Sequence, residues 1–172
     1  NTLPMLTLPA TLRSAIVPQN DCFIELDFNG AEVRTLLGLL DKDQPEEDVH
    51  QFHQHHIFNS KLTREQSKQA FFAWLYGSKS AVQESESKVL ESFYEKENIL
   101  KKFWIKGDIH TPYHRHIPNV SRHHALNYLV QSTAAELCLK QALKIDHLLR
   151  TQSRGSYVAF LIHDAIVIDF KK

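Results

Sequence analysis

The chain has 172 residues, 42% hydrophobic and 23% charged, which is enough apolar content for one globular domain with a single core and too much for a disordered chain. Twenty basic residues balance twenty acidic ones, so a surface coated in positive charge for unspecific nucleic-acid binding is excluded and any such site must be local. Cys22 and Cys138 form no CxxC pair and no apolar run reaches the ~18 residues of a membrane helix, which excludes a disulfide framework, a Cys-based zinc site and a membrane span, and predicts a soluble protein in a reducing, intracellular setting.

Residues 1–20, with Pro4, Pro9 and Pro18, read as an extended lead-in. Phe23 to Phe28 is strand-like and ends at Asn29-Gly30; a helix follows from about Ala31 to Leu40, then an acidic loop from Asp41 to Asp48 and a short helix from Val49 to Phe58. Thr63 is an N-cap for a helix running to about Tyr76, with Gly77 as its stop. A second, more polar helix is expected over Ala81 to Trp104, then an irregular, histidine-rich connection marked by Pro112 and Pro118. From Ser121 to Leu149 apolar residues recur at helical spacing and predict a long amphipathic helix. Tyr157 to Ile162 and Ala165 to Phe170 are apolar, β-branched runs flanking His163-Asp164, the pattern of a tight hairpin in a buried sheet. The chain starts at Asn1 without Met and stops at Lys172 directly after a strand, so both ends read as cuts through a longer protein.

A carboxylate inside an apolar run is costly unless it is paired or binds a metal. Taken alone, Asp164 is an ordinary turn aspartate and Asp27 a strand-terminating one. Taken together, two carboxylates on neighbouring strands match the two-cation arrangement that stabilises the attacking and leaving oxygens in phosphoryl transfer, and hard oxygen ligands imply magnesium rather than zinc. On the Thr63 helix, Arg64, Lys68, Phe72 and Tyr76 are four apart and share one side. Two cations at a helix N-terminus oppose the helix dipole, and an anion there would resolve the conflict.

The order of these segments resembles the polymerase motifs of family A (DNA polymerase I-like) DNA polymerases. Asp27-Phe28-Asn29-Gly30-Ala31-Glu32-Val33-Arg34 resembles the first motif, Asp48-Val49-His50 the Asp-Ile-His that follows it, and Arg64 through Gly77 the second motif. Gln131 through Glu136 is similar to the family's Gln-Gly-Thr-Ala-Ala-Asp, and His163-Asp164 to the third motif. The resemblance implies an α+β fold: a polymerase palm with an antiparallel sheet built from the Asp27 strand and the Asp164 hairpin, backed by helices, plus a small helical fingers segment. Residues 1–60 would be the first part of the palm, 61–106 shortened fingers, and 107–172 the second part of the palm.

It further implies two Mg2+ ions held by Asp27, Asp164 and the backbone carbonyl of Phe28, with Asp27, Asp164 and Lys68 as the catalytic residues. His50, Arg64 and Lys68 would contact the triphosphate of a deoxynucleotide, Phe72 its sugar and base, and Tyr76 with Glu32 would crowd the 2′ position. Asn127, Gln131, His163 and Arg115 would meet primer-template DNA. The implied protein is a monomeric, cytoplasmic DNA polymerase of replication or repair. Three positions depart from the family pattern: Ala165 stands where Glu is usual, His123 where Arg is usual and Gly30 where Gln is frequent. The short stretch between Gly77 and Gly107 suggests trimmed, phage-like fingers, and no thumb or proofreading domain is visible in this segment. Two rival readings are a nucleic-acid-binding remnant that has lost polymerisation and a metal-binding domain using His50, His53, His55 and His56.

Overall fold

The structure, a computed structural model, describes residues 9–78, 83–152 and 155–172. The fold is α+β with antiparallel sheets, as the motifs imply, and contacts divide the chain into two compact units: Asn1–Phe28 with Ala135–Lys172, and Asn29–Ala134. The palm-and-fingers division at 60/61 and 106/107 is a division by role and stays an expectation.

In the first unit, strands β1 (Cys22–Asp27), β5 (Tyr157–Ile162) and β6 (Ala165–Phe170) form a sheet of order β1-β6-β5, all antiparallel. β6 is the central strand and Ala165 through Asp169 are buried, so it reads as a continuous β-branched run rather than an alternating one. Ile162 pairs with Ala165, which leaves His163 and Asp164 as a two-residue turn, with His163 in the left-handed region at φ 54. The register of β5 shifts between Val158 and Phe160. There the Val158 amide donates to Asp146 on α7 (Arg122–Gln152) at 3.0 Å, so a helix carboxylate takes up a strand donor at the irregularity. Cys138 and Ala142 on the same helix pack with Ile166. The lead-in, expected to be extended, contains one helical turn, α1 (Ala10–Arg13), directly after Pro9; Pro4 lies outside the described residues.

In the second unit, helix α2 (Ala31–Leu39) starts from Gly30 at φ 65, a conformation most side chains resist, and a Cβ there would come within 2.4 Å of Val49. The short helix expected over Val49 to Phe58 is two pieces: α3 (Val49–Phe52) and a π-helical turn (His53–Ile57). Helix α4 (Arg64–Leu75) begins with a reciprocal capping box between Thr63 and Gln66, and the chain leaves it through Gly77 at φ 74. The single polar helix expected over Ala81 to Trp104 is instead α5 (Glu84–Phe93) and α6 (Lys96–Phe103), and Ala81 lies outside the described residues. The break falls at Glu95, left-handed at φ 46, whose carboxylate accepts from Asn98 at 3.0 Å and faces Lys42 at 3.5 Å. These bonds offset a conformation that costs a non-glycine residue about 1 kcal/mol.

The connection expected to be irregular holds a small sheet of β2 (Trp104–Ile105), β3 (Asp108–His110) and β4 (His116–Ile117). Its first turn is Lys106-Gly107, both with positive φ, the requirement of a tight hairpin. The N-terminal part of α7 closes this unit's core, where Leu129 and Val130 are fully buried with Leu36, Phe71 and Leu100.

Candidate active site

Asp27 ends β1 and pairs in register with Ala165, the residue after Asp164. Side chains directly opposite on antiparallel strands lie about 4.5–5.5 Å apart at Cβ, so Asp27 faces a position one residue removed from Asp164. Asp27 is exposed and Asp164 half-buried in its turn. Among the described residues no basic side chain or amide binds either carboxylate. Asp164 does act on Cys138: burial pushes that thiol up and the carboxylate's charge adds to the rise. Ala165, the residue after Asp164, is an apolar side chain buried at 4% exposure. Asp27 and Asp164 lie near each other at the ends of paired strands, and among the described residues neither is tied up by a protein donor.

In the helical unit the face of α4 carries Arg64, half-buried; Lys68, exposed; Phe72, half-buried; and Tyr76, 42% exposed. Arg64 forks onto Asp48, Nε to Oδ1 at 3.0 Å and the second guanidinium arm to Oδ2 at 2.8 Å, and reaches Glu65 at 2.6 Å. Asp48 and Glu65 therefore supply the anionic charge that the dipole argument asked for at this helix end. Asp48 also caps α3 by accepting from the His50 and Gln51 amides, and Arg64 above all holds its carboxyl down to about 2. Lys68, by contrast, meets no carboxylate among the described residues.

His50 is buried at 6% exposure, with its ring 5.8 Å from that of Phe72. Burial pushes its pKa down, Asp48 pulls it back up, and the charges of Arg64 and Lys68 lower it again, so the imidazole is neutral at pH 7. Phe72 stacks on Tyr76 at 5.7 Å. Burial raises the Tyr76 phenol, a hydrogen bond with the Gln131 side chain counters the rise, and the charge of Glu32 adds to it. Gln131 and Glu32, which come from two other motifs, thus both act on the Tyr76 phenol. Asn127, one turn before Gln131, keeps its Oδ1 buried with no partner among the described residues. His123 lies over Gly77, where a Cβ would come within 2.5 Å of the imidazole. Arg115 and His163 are exposed, in the β3–β4 loop and the β5–β6 turn respectively.

Of the four histidines of the metal-binding rival, His50 and His53 are buried in ring contact, while His55 and His56 face Glu47 at 3.7 and 3.4 Å. Among the described residues no group of three or more His, Cys, Asp or Glu is placed to hold a metal ion. The sequence left Tyr94 unmarked and gave His53 only a metal-binding role; the two are fully buried and 2.6 Å apart. Their separation of 41 positions carries no local signal. The Asp48–Arg64 fork was likewise hidden, although Asp48 in front of Val49-His50 carries the composition of an N-cap.

No family model matches the chain, and no curated protein sequence matches it. A solved structure described as the POL domain of Pol1 from M. smegmatis in complex with DNA primer-template and dNTP is similar in fold, with a TM-score of 0.68 at 18% identity. The match covers 91% of this chain and 35% of that one, so the chain spans about a third of the polymerase chain it resembles. Among the described residues no helix is long and apolar enough to cross a membrane.

Proposed function

We propose that the chain is the nucleotidyl-transfer core of a template-directed, DNA polymerase I-like enzyme of the phage type, working in the cytoplasm as a monomer on primer-template DNA and deoxynucleoside triphosphates. The observation that carries this reading is the pairing of Asp27 with Ala165 beside Asp164, in a chain whose fold is that of a DNA polymerase domain. In the reaction a primer 3′-oxygen attacks the α-phosphorus, a new O–P bond forms, and the bond to the β-phosphate oxygen breaks with release of pyrophosphate. Two Mg2+ ions, held by Asp27, Asp164 and the Phe28 carbonyl, supply charge stabilisation to the attacking and leaving oxygens when bound.

The remaining roles belong to the helical unit and the turns. Lys68, a cation without a carboxylate partner among the described residues, offsets the charge gathering on the pyrophosphate as it leaves. Arg64 is pre-set by Asp48 and His50 is held neutral, so each meets phosphate oxygens as a hydrogen-bond donor from a fixed place. Phe72 lies against the sugar and base, and Tyr76 with Glu32 makes the 2′ position too crowded for a ribonucleotide. Asn127, Gln131, Arg115 and His163 contact the primer-template.

Primer extension in the presence of magnesium tests the reading. Asp27→Asn and Asp164→Asn each keep shape and remove a charge, and each is expected to cut extension by on the order of 10³ while primer-template binding persists. Extension near the parental rate in either variant would refute the metal assignment. The impaired-remnant reading is favoured by one observation, the buried apolar side chain of Ala165, and it predicts that the parent binds primer-template but extends nothing.

A further inference from the structure

The core around Phe71 and Trp74 is mostly aromatic and aliphatic, yet an imidazole and a phenol, His53 and Tyr94, are both 0% exposed within it. They are 2.6 Å apart, between His53 Nε2 and the Tyr94 hydroxyl. Stability does not call for this bond, because replacing both members of a buried pair by apolar groups of similar shape is often neutral or stabilising. The backbone is also unusual at this point: the helix that begins at Val49 widens into a π-helical turn at His53.

The proton positions follow from counting unmet groups. Burial raises the Tyr94 phenol, so it keeps its proton, and burial above all pushes His53 down to about 3, so it is neutral. If Tyr94 donates to Nε2, only the Nδ1 hydrogen of His53 is left unmet; if the bond runs the other way, both Nδ1 and the phenol hydrogen are. Tyr94 is therefore the donor, and the His53 ring is fixed as the Nδ1-protonated tautomer.

That ring lies 5.5 Å from His50 and 4.9 Å from Phe71. Among the described residues His50 has no hydrogen-bond partner at its own Nδ1, so packing sets its orientation there. Its other ring neighbour on the exposed side of α4 is Phe72. We propose that His53 and Tyr94 form a buried positioning pair that fixes the imidazole of His50 and, through it, the ring of Phe72, and so sets how tightly the helical unit takes a nucleoside triphosphate. The nucleotide part of this inference rests on the polymerase reading above.

Four variants test it: Tyr94→Phe and His53→Leu, which delete the bond; His53→Gln, whose amide can accept from Tyr94 where Nε2 does; and the double variant His53→Leu/Tyr94→Phe. Two readouts are taken: the His50 imidazole signal in the NMR spectrum of histidine-labelled protein, assigned with His50→Gln, and the apparent KM for deoxynucleotide against kcat in primer extension. The deleting variants are expected to shift or broaden the His50 signal and to raise KM by roughly three- to tenfold with kcat changed less, while His53→Gln restores both most of the way. The double variant should melt no lower than the parent and still show the raised KM, a combination that a purely structural bond cannot give. An unmoved His50 signal in Tyr94→Phe and His53→Leu would overturn the positioning pair. A moved signal with an unchanged KM would overturn its role toward nucleotide. If the parent extends no primer, the polymerase reading fails by itself, and the His50 signal still decides the pair.

Discussion

The two ends of strand β6 each carry an aspartate, and they treat it in opposite ways. Asp169 is 2% exposed and fully engaged: it accepts from the Gln19 amide at 2.7 Å, the Asn20 amide at 2.9 Å and the Tyr157 hydroxyl at 3.1 Å. Desolvation pushes its pKa up, yet the two amides and the phenol outweigh that and the net direction is down. Asp164, five residues earlier, is half-buried in a turn with a left-handed neighbour, and among the described residues no amide or cation binds it. A carboxylate with its acceptors filled holds a fold together; under the proposed function, one left open near a second open carboxylate is where a cation would bind. The same contrast recurs on α4, where Arg64 is locked to Asp48 and Glu65 while Lys68 meets no carboxylate among the described residues.

The widest separation of these roles is expected between Asp164→Asn and Asp169→Asn. The first should lower primer extension by on the order of 10³ with an unchanged melting temperature. The second should do the reverse, because an Asn amide would set a donor against the Gln19 or Asn20 donor and lower the melting temperature with extension largely kept. If both variants lose both properties, the two ends of β6 do not differ in kind.

On α4 the expected effect is smaller. Lys68→Ala should lower kcat/KM for nucleotide by about 10²-fold and leave stability within about 0.5 kcal/mol, since an exposed cation adds little to folding. Arg64→Ala should raise KM by about tenfold and also lower stability, because Asp48 then loses the fork that holds its charge. Equal stability losses in the two variants would erase the contrast between tied and untied cations.

What the sequence made legible depended on how local each cause was. The β5–β6 hairpin follows from two apolar runs of fixed length around a two-residue turn, and α4 from its N-cap and the glycine after it; both lie where those residues place them. The α5/α6 break was not legible, because a left-handed glutamate stands where no glycine or proline announces a stop. The small sheet was missed because its strands are two or three residues long, too short to show alternation, although Gly107 after Lys106 was a usable hairpin sign. The motif spacing picked out Tyr76 and the two residues that act on its phenol, Gln131 and Glu32, but it was silent on Asp48 as the partner of Arg64 and on the His53–Tyr94 pair. Those are tertiary contacts, made by residues that no helical or strand period relates.

Gly30 connects that lesson to a measurement. It departs from the frequent Gln of the resembled motif, and the structure gives the departure a cause in its φ of 65 and in Val49, 1% exposed, seated where a Cβ would be. Gly30→Gln, which restores the family residue, is therefore expected to destabilise the protein by about 2–3 kcal/mol in urea unfolding, from backbone strain plus overpacking. A neutral result would mean that the start of α2 and Val49 shift apart at little cost.

The smallest expected effect lies with Asp48 and is read as a pH dependence. Its folded pKa is about 2 against an ordinary 3.8, chiefly through the Arg64 hydrogen bonds, so above pH 4 the folded state gains from a carboxylate that is charged in both states. As pH falls from about 4 through 2 the unfolded chain takes up this proton first and the gain disappears. With both partners partly exposed, the difference amounts to about 1 kcal/mol once solvent screening is allowed for. His50 and His53, held neutral by burial, cost stability on the same acid side from about pH 6.5 downward, so a falling melting temperature in the parent alone says nothing about Asp48. The comparison is therefore parent against Asp48→Asn by urea unfolding at pH 7, 5, 4 and 2.5. The parent should be the more stable at pH 7 and 5 by a constant margin, and the margin should shrink only below pH 4. A margin that shrinks between pH 7 and 5 would assign the effect to the neighbouring histidines, and one that persists at pH 2.5 would show that Asp48 acts through its cap on α3 rather than through its charge on Arg64.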